Sequence, residues 1–192
     1  HAAAYRAMKE KHVLLARGSG PGLRIGIAHH LRIFDPKGWN PLNRYLADKL
    51  DHAFNWSFGE ALETGRLRYK IPLSTEVDEA VQGLAGTQDF VGINYYSRDM
   101  VEVTFGGAGF KLSVPDGAET TDVGWEIYPE GLYRLLNEAK RRFPGNPIFI
   151  TDNCLADSRD VIRTVFLERH LAEIARAMKD GAPIEGYCHW SL

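Results

Sequence analysis

Cysteine is scarce in this chain. Cys154 and Cys188 are its only two, too few for a disulfide framework, and a reducing cytoplasm is the default compartment. Charge of one sign is not in excess either: 23 Lys and Arg against 25 Asp and Glu leave a net charge of −2. With no dense basic block, an electrostatic nucleic-acid footprint is excluded. No apolar run approaches bilayer-spanning length and no signal peptide opens the chain, so no membrane partner is expected. A phosphate-binding glycine loop is missing as well. Gly18 to Gly22 precede a strand instead of following one, and Gly106-Gly107 sits in a hairpin, so dinucleotide binding is unsupported and no cofactor is expected. What remains is an ordinary globular composition: 192 residues, 44% of them hydrophobic, long enough for a sizeable core. No repeat, low-complexity tract or linker divides residues 1–192, which read as a single domain. Aromatic residues are generous at 11%, with four tryptophans, which suits a site that stacks on flat ligands as well as a filled core.

The apolar spacing predicts alternating helices and strands. Tyr5, Met8, His12 and Leu15 recur at helical spacing over residues 1–17, and Gly18-Ser19-Gly20-Pro21-Gly22 stops that helix. Residues 23–29 read as a short strand, with Phe34-Asp35-Pro36 and Gly38-Trp39 as the loop after it. Asn40 as N-cap and Pro41 at the first helical position open a helix to about Leu62. Its Leu46, Leu50, Ala53 and Phe54 share a face. Residues 65–73 read as irregular, and Ser74 or Thr75 caps a short helix to about Leu84. A strand over residues 89–95 comes next, then a hairpin of residues 100–105 and 110–114. Pro129-Glu130 opens a helix that runs to Phe143 and is ended by Pro144-Gly145. Ile148-Phe149-Ile150 reads as a buried strand that ends in Thr151-Asp152-Asn153. Asp157 or Ser158 caps a helix to about Lys179, with Val161, Val165, Ile174 and Met178 as its buried stripe, and residues 184–190 are the last strand. Helical crossovers imply a parallel α/β sheet with right-handed connections. Four strand–helix units make half of a (β/α)8 TIM barrel; an open doubly-wound sheet is the other arrangement, and the missing phosphate loop argues against it.

Barrel chemistry collects at the carboxyl ends of strands. Those ends are His29 and His30, then Asn94, Tyr95 and Tyr96, then Asp152 and Asn153, then His189 and Trp190. Asp152 is the catalytic candidate, with helix capping as its competing role. A carboxylate, amide and phenol hydrogen-bonders and an indole plate suit a polyol, which needs hydrogen bonds at its rim and stacking on its face. A carboxylate nucleophile is one solution for glycosidic bonds. Against that, Tyr96 also fits a core phenol, Trp190 a core plug and Asn94 a turn residue. His30, Cys154, Cys188 and His189 sit at strand ends that could adjoin, but they match no metal-ligand spacing, so no metal is expected.

Longer stretches narrow the reading. They are Asp89-Phe-Val-Gly-Ile-Asn-Tyr-Tyr-Ser-Arg98, Gly124-Trp-Glu-Ile-Tyr-Pro-Glu-Gly-Leu132, Pro147-Ile-Phe-Ile-Thr-Asp-Asn153 and Asp180-Gly-Ala-Pro-Ile-Glu-Gly-Tyr-Cys-His-Trp-Ser-Leu192, with Ile27-Ala-His-His30 and Phe54-Asn-Trp56 between them. Together they resemble glycoside hydrolase family 1, the β-glucosidase group, across essentially the whole chain. The resemblance implies the C-terminal half of a TIM barrel that hydrolyses β-glycosides with retention, without a cofactor, on a small carbohydrate or aryl glycoside. It puts Asp152 on the nucleophile and Tyr96 on the tyrosine that hydrogen-bonds it. Asn94 falls on the same strand facing the site, Trp190 on the tryptophan floor under the sugar, and Trp125 in the entrance region.

Departures from the family pattern are equally specific. The family has Glu at the position of Asp152 and Gly at that of Cys154. Asp is one methylene shorter, and a misplacement of about 1 Å can cost about 10²-fold in rate. A retaining enzyme pairs its nucleophile with a second carboxyl about 5–5.5 Å away. The family's acid/base glutamate lies in an Asn-Glu-Pro motif ahead of the first helix, and Glu126, Glu130 and Glu185 do not match its position. Strands one to four and the sugar-gripping Glu-Trp segment after Trp190 are not matched either. The expected function is therefore a truncated β-glucosidase-like hydrolase of low activity. The alternatives are a non-catalytic half-barrel with at most weak sugar binding, and an altered glycosidase that recruits Glu126 or Glu185. The last is open because inverting geometry tolerates carboxyls about 6.5–9.5 Å apart. A half-barrel exposes two strand edges, which invites association into a homo-oligomer. Light scattering at high concentration is expected to give a mass above that of one chain; a clean monomer would contradict the expectation.

Overall fold

The computed structural model describes residues 1–16, 22–72 and 76–190; the glycine-rich helix stop up to Pro21 and the Ser74 or Thr75 cap lie outside the described residues, as does the Leu15 side chain. In chain order the elements are α1 (Ala2–Ala16), β1 (Ile27–Pro36), α2 (Pro41–Asp51), a π-helical turn (His52–Trp56), α3 (Ser57–Thr64), β2 (Arg66–Lys70) and β3 (Glu76–Ala80). They continue with β4 (Val91–Val103), β5 (Phe110–Ser113), α4 (Pro129–Arg142), β6 (Ile148–Cys154), α5 (Arg163–Lys179) and β7 (Ile184–Trp190). β1, β4, β6 and β7 pair in parallel in that order, and β5 folds back antiparallel on β4. This is the expected partial barrel: parallel strands with helical crossovers. Among the described residues no helix is long and apolar enough to cross a membrane.

The core lies on one face of the sheet. Leu31 and Ile33 of β1, Val91, Ile93 and Tyr95 of β4, and Ile148 and Ile150 of β6 pack against Leu132, Leu135, Leu136 and Ala139 of α4 and Ile174 and Ala177 of α5. Gly131 makes one contact of this layer possible. A Cβ there would collide with the Tyr95 hydroxyl, which donates to the Tyr128 carbonyl (2.6 Å). The opposite face carries the alternate residues, such as the exposed His30 and the half-buried Arg32, Asn94 and Tyr96.

Several sequence expectations fail here for physical reasons. β1 starts four residues late and absorbs Phe34-Asp35-Pro36, read as loop, because its parallel ladder with β4 persists to Pro36 opposite Val101. A proline is tolerated at the end of an edge strand, where its missing N–H breaks no ladder bond. His29 and His30 therefore lie inside a strand, not at its end. Residues 66–70, read as irregular, and 76–80, read as helix, form an antiparallel pair. Its cross-strand ions override the helix-forming composition: Lys70 meets Glu76 at 2.8 Å and Arg68 meets Asp78 at 3.1 Å, with Arg66 also on Asp78. The helix from Asn40 starts as expected, the Asn40 Oδ1 accepting from the Leu42 N–H at 2.9 Å. The π-helical turn then adds a residue to one turn and shifts the buried face. Phe54 becomes exposed, while Asn55 and Trp56 turn inward, both donating to Asp51 (2.7 and 2.8 Å). On α5 the buried set is Phe166, His170, Ile174 and Ala177, and the expected Val161, Val165 and Met178 are exposed. The helix begins at Arg163, after a turn in which Asp157 accepts from the Ile162 N–H (2.9 Å), so Val161 lies outside it. At 3.6 residues per turn Val165 falls on the face opposite Ile174, and Met178 to the side of the buried row.

His170 is fully buried, with its Nδ1 against the Phe166 carbonyl (2.8 Å), and burial pushes its pKa down to about 4. Between that value and the ordinary 6.5, the unfolded chain takes up the proton and the folded chain does not. The stabilisation from the neutral ring is therefore complete above pH 6.5 and falls away toward pH 4, by about 3 kcal/mol at most. A denaturant series from pH 8 to pH 4 should show this loss, and His170→Phe should flatten it.

Candidate functional site

Two bulges set the geometry of the concave face. In β6 an extra residue sits between Ile150 and Asp152, seen from both neighbours: Asn94 follows Ile93 directly opposite Asp152, and on β7 a single residue spans the gap from Ile150 to Asn153. In β4 an extra residue follows Tyr96, since Leu31 faces Tyr95 and Ile33 faces Arg98. A bulge re-aims the side chains that follow it. Strict alternation would place Asp152 on the helix-covered face with Ile148 and Ile150. The bulge instead buries Asn153 there, donating to the Tyr95 carbonyl (2.8 Å) and accepting from the Tyr187 hydroxyl (3.0 Å). Asp152 turns to the other side.

There the Tyr96 hydroxyl donates to Asp152 Oδ2 at 2.7 Å, and Asp152 Oδ1 is buried without a hydrogen-bond partner among the described residues. Four titratable groups around this carboxylate are biased toward their neutral forms. Burial, then the hydrogen bond to Asp152, raises the Tyr96 phenol well above its usual range. Burial, then Asp152, lifts the Cys154 thiol. Burial first, with Asp152 and Cys188 behind it, pushes Tyr187 up to about 12. Burial and then Arg32 lower His30, against the pull of Asp152. The carboxylate thus keeps one oriented donor on Oδ2 and a buried, unpartnered Oδ1.

Register brings the other expected residues near. His30, Asn94 and Asp152 are level on three adjacent strands. Asn94 Oδ1 accepts from the Thr151 hydroxyl at 2.6 Å. The His30 ring stands edge-on to Tyr96 (4.9 Å between centroids) and to Phe54 (5.4 Å). Trp125, reaching in from the loop before α4, lies 5.5 Å from the Tyr96 ring and is 37% exposed. Trp190 is 68% exposed at the end of β7, level with Cys154, so it stands two residues beyond the Asp152 row. Arg32, which stacks 5.9 Å from Trp125 and pairs with Asp99 at 2.8 Å, was not singled out by its sequence. Its only signal was alternation along β1 behind His30. Among the described residues no group of three or more His, Cys, Asp or Glu is arranged to hold a metal ion.

Neither glutamate considered as a substitute partner is available to Asp152. Glu126 is 5% exposed and clasped by Arg98 through two bonds, at 2.8 and 2.7 Å. Arg98 also reaches Asp35 (3.2 Å), which Arg134 grips through both oxygens (2.9 and 2.8 Å). Burial opposes the charge on Asp35, but these guanidiniums outweigh it and hold the carboxyl below its usual range. Glu185 pairs with Arg24 (2.6 Å) at the start of β7, the far end of the strand from Asp152.

The family model described as Glycosyl hydrolase family 1 matches residues 1–192. A β-galactosidase of Pyrococcus woesei is 31% identical over 100% of the chain and 41% of its own length. One from Saccharolobus solfataricus is 33% identical over 83% of the chain and 34% of its own. Among solved structures, a β-glucosidase from Thermotoga maritima in complex with glucoimidazole superposes with a TM-score of 0.77 at 25% identity, covering 100% of this chain and 46% of that one. A β-glycosidase from Pyrococcus horikoshii gives 0.73 at 30% identity, covering 98% and 42%. The chain spans less than half the length of these relatives.

The clasp on Glu126 has a measurable consequence. Removing one partner of a buried ion pair strands the other, so Glu126→Ala should lower unfolding free energy by about 3 kcal/mol. Glu185→Ala, which breaks a half-exposed surface pair, should cost less than about 1 kcal/mol. Equal denaturation midpoints for the two variants would contradict the clasp.

Proposed function

The chain belongs to glycosyl hydrolase family 1, and from that membership we propose that it supplies the nucleophile side of a β-glycosidase site, acting on a small β-linked carbohydrate or aryl glycoside. One observation carries the reading: the 2.7 Å hydrogen bond from Tyr96 to Asp152 on the concave face of a partial barrel. A phenol bonded to Oδ2 orients the carboxylate, whose Oδ1 is buried and makes no hydrogen bond among the described residues, so no cation or second donor ties the group down. In the first step the carboxylate oxygen bonds to the anomeric carbon as the glycosidic C–O bond breaks and the departing oxygen takes a proton from a general acid. Water then displaces the carboxylate, giving retention. Trp125 and Trp190 offer faces on which a sugar and its leaving group can stack. Glu126 and Glu185 are not assigned as the proton donor, because one is clasped by Arg98 and the other lies at the opposite end of β7.

Aspartate in place of glutamate sets the expected rate. The carboxylate is withdrawn by about 1 Å, so activity should be low, and Asp152→Glu should raise kcat for an aryl β-glucoside by up to about 10²-fold. Asp152→Ala should abolish what activity there is. Turnover unchanged by Asp152→Ala would remove Asp152 as nucleophile.

A further inference from the structure

The bulge in β6 gives two neighbouring residues partners on β4. Ile93 lies level with Ile150 and Asn94 with Asp152, so Thr151 is the extra residue between them. Its hydroxyl donates to Asn94 Oδ1 at 2.6 Å, while the Tyr96 hydroxyl, two residues further along β4, donates to Asp152 Oδ2 at 2.7 Å. The Asn94 amide also reaches the Tyr96 hydroxyl, where its hydrogen bond opposes the upward push of burial and Asp152 on the phenol. Four side chains thus close a ring from Thr151 through Asn94 and Tyr96 to Asp152, the last two members being joined again by the backbone of the bulge.

A phenol has one proton to give, and an amide side chain has an acceptor at one end and donors at the other. With Oδ1 taken by the Thr151 hydroxyl, Nδ2 is the end that Asn94 turns to Tyr96. A donor there leaves Asp152 as the acceptor for the phenol proton. Turned by half a rotation, Asn94 would present Oδ1 to Tyr96 and compete with Asp152 for that proton. Hydrogen bonds that run in one direction around a chain of groups also strengthen one another.

We propose that Thr151 is a positioning residue: by fixing which way the Asn94 amide points, it directs the Tyr96 proton to Asp152 and holds the carboxylate in one orientation. The proposal rests on the glycosidase reading for what the carboxylate does, and it adds a residue that acts through Asn94 and Tyr96 without touching the sugar.

Thr151→Val keeps the branched shape and removes the hydroxyl, whereas Thr151→Ser keeps the hydroxyl. With an aryl β-glucoside, Thr151→Val is expected to lower kcat about tenfold, the worth of one hydrogen bond, and to leave KM nearly unchanged. Thr151→Ser should retain most of the wild-type kcat. In a Tyr96→Phe background, which has no phenol proton to direct, Thr151→Val should cost nothing further. Proton NMR gives a reading that needs no turnover. The Tyr96 hydroxyl signal, identified by its loss in Tyr96→Phe, should be protected from exchange in the wild type and in Thr151→Ser, and lost in Thr151→Val. Wild-type kcat in Thr151→Val, a serine variant as impaired as the valine one, or a full further loss on top of Tyr96→Phe would each overturn the proposal. So would a hydroxyl signal that is unprotected in the wild type or unchanged in Thr151→Val. Failure of the glycosidase reading would show separately, as the expected hydroxyl signals alongside turnover that Asp152→Ala leaves unchanged.

Discussion

A single extra residue in β6 decides where the candidate nucleophile points. Side chains alternate along a strand, so Asp152, two residues beyond Ile150, belongs by parity to the face that packs on α4 and α5. A carboxylate buried there would face Leu and Ile side chains at a cost of several kcal/mol. The bulge between Ile150 and Asp152 reverses the parity at one point. Asn153, whose amide can be satisfied by the Tyr95 carbonyl and the Tyr187 hydroxyl, takes the buried position, and Asp152 meets Tyr96 on the open side. The matching irregularity in β4 after Tyr96 lies at the same level, so both partners of the key hydrogen bond sit where their ladders are perturbed.

Charge is sorted around this point. Arg98 and Arg134 are committed to Glu126 and Asp35, and Arg32 to Asp99. Bidentate arginine contacts hold a carboxylate tightly and use up its lone pairs, which fits Glu126 and Asp35 for fastening the loop before α4 to β1 and β4. Asp152 has a phenol in place of a guanidinium, and burial pushes Tyr96, Cys154, Tyr187 and His30 around it toward neutrality. A carboxylate held by one oriented neutral donor, with no guanidinium on it, is suited to bond formation in a way that the clasped ones are not.

Much of this was legible in residue order. The Ile148-Phe149-Ile150 run ending in Thr-Asp-Asn marked β6, Asn40-Pro41 and Pro129-Glu130 marked helix starts, and Tyr96 and Asp152 were singled out together. What could not be read had a common cause, because it depended on partners distant in sequence. Residues 76–80 look helical until residues 66–70 offer opposite charges across a ladder. Phe34-Asp35-Pro36 looks like a turn until β4 extends beside it. Val161 looks like part of a buried helix stripe until the turn at Asp157 moves the helix start to Arg163. The position of Trp125 against Tyr96, and the two-sided clasp on Glu126, join a loop to strands some 30 residues away.

By itself the sequence determined the alternation of helix and strand and the parallel sheet, because these follow from local periodicity, caps and short motifs, and its resemblance to a family singled out Asp152 and Tyr96 as candidates. Only the tertiary structure decided which face Asp152 occupies, which glutamates are already bound, and that His30 stands against Tyr96 and Phe54. Each of those depends on strand register, bulges and a π-helical turn, and they are set by contacts between segments far apart in the chain, which no local pattern encodes.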